Sequence, residues 1–450
     1  MLYELLQALV QYVTPRRSHT HEGRFNRGMH EQQLTRPASH HRWKDVFWLA
    51  GISGVMALVQ LPFASYVAAL PLIRNEWGLS NIQAGTIYSN TLAGLALAAL
   101  FVIPLTDRFP PRRLFLISVW GSVITNLFFP LWATGFVSGS LLRFIAGPCL
   151  VGVYVPGIRI VSEYFARGWR GMAVGLFISA FHLGTSISLA AMSLLLPHFG
   201  WRTAYLITAL LAFSGVAVAH LLLGTGGGEL PDATRGSGRL TLEPLRSKPL
   251  VLLTAGYALH AWELYVARVW LSPFLVTVLL ARGMAPTEAA ALGAGAAAAM
   301  LVTAAPGPFL GGLLSDRIGR TSAGILLLSL SGIISLLMGW MLDASWAVLL
   351  GLGMVYGFAT AADAAVYSTG VTELAEARTM GSAQALQSFF GYGAAVLGPV
   401  VFGGILDLAP PGLSWGLGFS SAGLAATLGV VALVWLHRLP ESGRMAQGKR

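Results

Sequence analysis

Stretches of about 20 mostly apolar residues, each long enough to cross a bilayer as a helix, recur along nearly the whole chain. Twelve are legible, at 46–70, 84–105, 113–133, 138–160, 171–197, 202–223, 249–279, 287–313, 321–342, 345–369, 380–406 and 414–436. Turn and charge signals break them at Pro71 to Glu76, Asp107 to Arg113, Arg167 to Arg170, Pro197 to Trp201, Arg282 to Pro286 and Asp316 to Arg320. Hydrophobic residues make up 55% of the chain and charged ones 11%, against roughly 25% charged in an ordinary globular chain. So much apolar surface needs lipid to face. In lipid every backbone N–H and C=O must be paired internally, so the spans are expected to be helices. The predicted fold is an all-α membrane protein of twelve transmembrane helices.

Basic residues set the expected orientation. With the N-terminus in the cytoplasm, all but six of the 29 Lys and Arg fall in cytoplasmic segments. Arg74, Arg202 and Arg282 fall in outer loops, and Arg143, Arg159 and Arg268 fall inside spans. The expected location is the cell (inner) membrane, with both termini cytoplasmic. Cationic loops against an anionic leaflet explain the net charge of +10 without nucleic acid. The lipid bilayer is then a partner, and a monomer is expected. Cys149 stands alone, so neither a disulfide framework nor a thiolate metal cluster is expected. Lys44, Lys248 and Lys449 are the only lysines, and none sits in a phosphate-cradling Gly-x4-Gly-Lys-Ser/Thr loop. No cofactor, metal site or enzyme constellation is expected.

Five segments follow: a cytoplasmic tail (1–45), a six-helix bundle (46–223), a cytoplasmic linker (224–248), a second six-helix bundle (249–437) and a cytoplasmic tail (438–450). In the first tail, Leu2, Leu5, Leu6, Leu9 and Val13 recur at helical spacing, so 1–13 can lie on a membrane surface. Residues 14–45 hold His19, His21, His30, His40 and His41 and are expected to be a polar tail. Met29 offers an internal start that would leave 1–28 outside the natural product. The linker, rich in glycine and charge, is expected to be flexible.

The two bundles repeat. Asp107-Arg108 follows the second span, and Asp316-Arg317 follows the eighth, 209 residues later. Glu163 and Gly171 bracket the junction of spans four and five, and Glu373 and Gly381 bracket that of spans ten and eleven, 210 residues on. With these landmarks the chain resembles the major facilitator superfamily over about residues 45–440, and the resemblance implies two pseudo-symmetric six-helix bundles. The family's loop motif, Gly-x-x-x-Asp-Arg-x-Gly-Arg-Arg/Lys, is matched by Gly312, Asp316, Arg317, Gly319 and Arg320, with Thr321 in the last place. The first copy keeps Asp107 and Arg108, has Ile103 and Pro110 in place of the glycines, and continues Pro111-Arg112-Arg113. Arg143 and Gly147 match the family's Arg-x-x-x-Gly in span four.

An aspartate beside a helix N-terminus meets free N–H groups and a positive dipole end. By the repeat, Asp107 is expected to cap span eleven near Gly381, and Asp316 to cap span five near Gly171. Glu163 and Glu373 are expected to pair with nearby arginines. Breaking and remaking such contacts would separate two states, as alternating access requires. Fixing the loops in place is the simpler role for the same charges.

A charge inside a span costs roughly 2.5–3.5 kcal/mol on insertion scales, so such residues are candidate functional groups. Glu263 and Arg268 in span seven lie about 140° apart around the helix and make poor partners for each other. Pro273 follows and is expected to kink the helix. His260, Glu263, Ala267 and Trp270 share one face of span seven, and Tyr356, Thr360, Asp363 and Tyr367 one face of span ten. Asp363 is the natural partner for Arg268 or for a proton. Ser179, His182, Ser186 and Ser193 stripe span five, Gln60, Ser65 and Tyr66 span one, and Gln384, Gln387 and Tyr392 span eleven. These stripes fit a cavity between the halves, near the midplane, where family members bind substrate. The plain alternative is helix–helix bonding and packing.

The resemblance implies a secondary transporter of a small-molecule substrate. One reading is proton-coupled or facilitated movement of a small organic anion anchored by Arg268, with Glu263 and Asp363 as proton carriers. A second is efflux of an amphipathic or cationic compound anchored by Glu263 and Asp363. A third is a non-transporting membrane sensor or scaffold. The family's exporter signature places a Gly-Pro pair in span five, where this chain has Gly184-Thr185. Its nitrate porters carry arginines in spans two and eight, which have none here.

Overall fold

A computed structural model describes residues 40–165, 170–224, 241–376 and 378–449, with the backbone alone at 40–42 and 99–108. The amphipathic stretch 1–13, the histidines before His40, linker residues 225–240 and the side chains of Asp107 and Arg108 lie outside the described residues. No strand occurs among the described residues.

Ten helical stretches are long and apolar enough to cross a membrane: Trp43–Glu76, Pro111–Trp132, Phe136–Tyr164, Arg170–Leu223, Lys248–Ala281, Pro286–Ile318, Arg320–Met338, Trp346–Leu374, Met380–Leu408 and Ser414–Arg438. Arg170–Leu223 carries two spans and turns at Gly200, whose φ of 67° suits a residue without a Cβ. The helix Asn81–Arg108 completes twelve spans among the described residues. Each span is numbered here by its place in this series. Ile117, Leu194 and Leu221 stand exposed on the spans, in the manner of a surface that faces lipid. An even number of crossings puts the start of span one and the end of span twelve on one side, called the terminal face.

Packing follows the repeat. In the first six, span two packs on span four, and span three on spans four and six; in the second six, span eight packs on span ten, and span nine on spans ten and twelve. Span one bonds to span five through Gln60 and Thr185 (3.3 Å) and to span six through Ser65 and Thr208 (2.9 Å). Span seven likewise packs on spans eleven and twelve. The halves meet where span two lies on span eleven and span five on span eight, as in the bond from Ser186 Oγ to the Ala298 carbonyl (2.6 Å). Phe47–Arg450 is accordingly one compact unit.

Two spans are interrupted. Span eight breaks between Val302 and Gly307, beside Pro306, and span ten breaks at Asp363, between Ala362 and Ala364. A Cβ on Gly311 would lie 1.8 Å from the Ala362 carbonyl oxygen, so span eight seats the break in span ten through a position only glycine can fill. Gly312, the glycine of the loop motif, has ordinary space around it. Gly319 joins spans eight and nine with a φ of 99°, which gives the motif's second glycine its physical reason.

The chain after span twelve was expected only as a tail. It folds into a short helical turn, Pro440–Gly448, with Met445 and Ser442 buried. Ala446 N donates to Glu373 Oε2 (3.0 Å), and Lys449 Nζ to the Asp316 carbonyl (2.8 Å). The described end of the linker is also docked. Thr241 N donates to Ser382 Oγ (3.1 Å), and Glu243 pairs with Arg378, whose guanidinium is held above its ordinary pKa by hydrogen bonds to Glu243 and Glu376.

Candidate substrate cavity

A cavity of about 180 Å³ lies between the halves. Gln60, Tyr88, Thr91, Arg143, Tyr154, Phe181 and His182 line it from the first half, and Tyr257, His260, Tyr265, Arg268, Thr360 and Tyr392 from the second. Pockets for drug-sized ligands measure roughly 300–1,000 Å³, so this volume suits a small solute.

Arg268 is the central cation. Its Nη2 lies 3.1 Å from His182 Nδ1, across the two halves. A guanidinium only donates, so that ring nitrogen accepts and His182 is the neutral tautomer with its proton on Nε2. The guanidinium also lies over the rings of Phe181 (5.1 Å) and Tyr265 (5.3 Å). It makes no ion pair with a carboxylate among the described residues. The expected pairing with Asp363 is therefore not made.

Asp363 faces His260 instead. Its Oδ2 is 3.0 Å from His260 Nδ1, and neither carboxylate oxygen has any other polar partner among the described residues. Both residues are buried, and His260 lines the cavity while Asp363 sits behind it at the helix break. Tyr367 stacks on the His260 ring (5.4 Å) and receives Gln387 Nε2 on its carbonyl (3.3 Å). Neither Tyr367 nor Gln387 reaches the cavity.

The shared face of span seven divides among three surroundings. His260 reaches the cavity. Glu263 turns into the second half, where its carboxylate accepts from Ser331 Oγ (2.9 Å) and Ser335 Oγ (2.7 Å), with Ser335 in turn bonded to Tyr356 (2.7 Å). Those hydroxyls meet the hydrogen-bonding demand of a buried acid, and Glu263 does not line the cavity. Trp270 donates Nε1–H to the Pro399 carbonyl (3.0 Å) and stacks on Phe402, outside the cavity.

Arg143 is the second cation of the lining and is 1% exposed. Three rings surround it, from Tyr66 (4.8 Å), Phe129 (4.7 Å) and Tyr205 (5.6 Å). One donor reaches the Phe63 carbonyl (3.4 Å), while Nε and Nη2 have no hydrogen-bond partner among the described residues. Rings offer a guanidinium attraction without cancelling its charge. Tyr66 belongs to this cage, with its hydroxyl donating to the Ala84 carbonyl (2.8 Å), and does not line the cavity.

In the second half the loop-motif residues form a cluster. Arg320 joins Asp316 and Glu373, with Nη2 3.0 Å from Glu373 Oε1, and donates to Ser315 Oγ (2.7 Å). Among the described residues Arg320 is the partner of the Asp316 carboxylate. Glu163 pairs with Arg159 (2.9 Å). Arg112 packs near Gly224, and Arg113 and Arg317 are exposed. Tyr88, Thr91 and Tyr154, on spans two and four, are lining residues that the polar stripes of spans one, five, seven, ten and eleven did not indicate.

Residues 52–285 match the family model for the Major Facilitator Superfamily. The cis,cis-muconate transport protein of Acinetobacter baylyi is 25% identical over 293 residues, 62% of this chain and 68% of that protein. The probable sulfoacetate transporter SauU of Cupriavidus necator is 27% identical over 430 residues, 86% of this chain and 94% of that protein. The benzoate transport protein of Acinetobacter baylyi is 28% identical over 149 residues, 32% of each chain. Among solved structures, a bacterial homolog of the human lysosomal transporter Spinster, inward-facing and occupied, aligns with a TM-score of 0.70 at 18% identity, covering 87% of this chain and 97% of that one. The nucleoside transporter NupG aligns with a TM-score of 0.68 at 13% identity, covering 87% and 99%. The twelve spans, the cavity between their halves and the match to the family model together show that this chain belongs to the Major Facilitator Superfamily and is a transporter, not an enzyme.

Proposed function

We propose that the chain carries a small organic anion, a carboxylate with a compact unsaturated body, through the cavity by alternating access. The observation that carries this reading is Arg268: a guanidinium on the cavity wall, fixed by a neutral histidine and two rings, with no carboxylate to neutralise it among the described residues. An anion supplies the missing charge. Arg143, on the opposite half, adds to the cavity lining a second cation without a carboxylate partner among the described residues, and the tyrosines suit a planar body. The relatives named for muconate, sulfoacetate and benzoate support the same chemistry, because each of those compounds bears a carboxylate. Efflux of a cation is the weaker reading, since neither Glu263 nor Asp363 reaches the cavity.

Proton coupling is part of the proposal. His260 touches both the cavity and the buried Asp363, so a proton taken from the cavity can pass to a carboxylate that lacks any other donor. Placing the basic terminal face in the cytoplasm of the cell membrane follows the charge bias. The loop-motif cluster around Asp316, Arg320 and Glu373, and the motif residues Asp107 and Arg108, are proposed to gate the terminal face.

Ligand binding stabilises the state that binds. Benzoate, muconate and sulfoacetate are each added to the detergent-solubilised protein and the melting temperature is followed. At least one is expected to raise it, and Arg268→Gln to remove that rise. Removing a hydrogen bond to a charged group costs about 1.5–3 kcal/mol, which weakens binding roughly ten- to hundredfold. A full response retained in Arg268→Gln would sink the anchor assignment.

A further inference from the structure

On the face opposite the termini, one carboxylate ties the two halves together. Asp407 lies in the last turn of span eleven. Its Oδ1 accepts from Asn81 N (2.9 Å) and Asn81 Nδ2 (2.8 Å), and its Oδ2 from Ile82 N (2.8 Å). Those N–H groups open the helix of span two, where donors lack intrahelical partners and the dipole is positive. Arg74 binds Asn81 Oδ1 and so turns the amide nitrogen toward Asp407.

Span two also has a cap of its own. Ser80 Oγ accepts from Gln83 N (3.2 Å) and Gln83 Oε1 from Ser80 N (3.0 Å), a reciprocal capping box. The local sequence thus holds the helix start without help from the other half. The bonds to Asp407 serve the junction, and span two need not fray when they break. Asp407 is exposed, so water replaces the lost partners and release is reversible. Below it the backbones nearly touch: a Cβ on Gly403 would meet the Asn81 carbonyl oxygen at 2.5 Å, and one on Gly85 the Pro399 carbonyl oxygen at 2.5 Å.

We propose that Asp407 is the releasable latch of the transport cycle, closing the face opposite the termini by capping span two across the halves and letting go when that face opens. It is a positioning residue, and its role is independent of what is carried.

The test uses the full chain in lipid nanodiscs with Cys149→Ser, spin-labelled at Thr134→Cys and Gly412→Cys. These two exposed loop positions lie on opposite halves at that face. Distance distributions are read by pulsed electron resonance. Loss of a cap of about 1 kcal/mol in Asp407→Ala is expected to raise the ratio of long to short distances about fivefold. Asp407→Asn, which keeps an acceptor oxygen, is expected to shift it less. Asp343→Ala removes an exposed acid on the same face and is expected to change nothing. An unchanged distribution in Asp407→Ala, or an equal shift in Asp343→Ala, overturns the proposal.

Discussion

Arg268 is fixed in place without being neutralised. The His182 ring nitrogen, which accepts from the guanidinium N–H, and two ring faces hold the guanidinium, and none of them carries a negative charge. Asp363 shows the reverse, a buried carboxylate whose one polar neighbour among the described residues is the cationisable His260. If that pair passes the proton, Asp363→Asn is expected to abolish uphill accumulation in vesicles with an imposed pH gradient. Exchange of substrate in both directions is expected to stay within about threefold of the unaltered protein, as for a mutation that leaves binding intact. Equal accumulation by the variant would remove Asp363 from coupling. The charged residues of span seven were legible in the sequence because a charge among apolar residues is conspicuous. Their partners were not. Helical spacing says which residues share a face, and His260, Glu263 and Trp270 do share one, yet three different surroundings meet that face across its width. The tyrosines of spans two and four were hidden for a different reason: an aromatic side chain serves packing and cavity lining equally well.

At the scale of elements, the sequence marked most span boundaries, because prolines, glycines and charge clusters interrupt the apolar runs. The turn at Gly200 falls within the break expected from Pro197 to Trp201. The interruption of span ten at Asp363 carried no such mark, since a lone aspartate in an apolar helix need not break it. It is legible only from the other side, where Gly311 of span eight lies against Ala362. Filling that contact forces the helices apart, and overpacking costs about 1–3 kcal/mol. Gly311→Leu is therefore expected to lower the melting temperature in detergent, while Gly312→Ala, whose added methyl meets only an ordinary contact with Ala365 at 3.7 Å, is expected to leave it within error. Equal behaviour of the two variants would contradict the seat for span ten. The turn at Pro440–Gly448 was likewise unmarked. Its polar composition reads as a tail, and only the packing of Met445 and the bond from Ala446 to Glu373 show that it docks.

For the whole molecule, the chain's repeat gives two sets of six helices with matching neighbours, joined where span two meets span eleven and span five meets span eight. The cavity between them is small, aromatic and twice cationic, and the halves are pinned by Asp407 on the face away from the termini. The pattern of apolar segments was enough to foresee the fold, because lipid leaves a helical chain few alternatives. The cavity wall was only partly foreseeable, because it depends on which faces of spans one, two, four and five meet which faces of spans seven, ten and eleven. The most direct test is uptake of radiolabelled benzoate, muconate and sulfoacetate by proteoliposomes holding the purified protein, alongside Arg268→Gln reconstituted at equal density. The account predicts saturable uptake of at least one of these anions and its loss, by roughly tenfold or more, in the variant. Undiminished anion uptake by Arg268→Gln, or transport of an organic cation with none of the three anions moved, would contradict it.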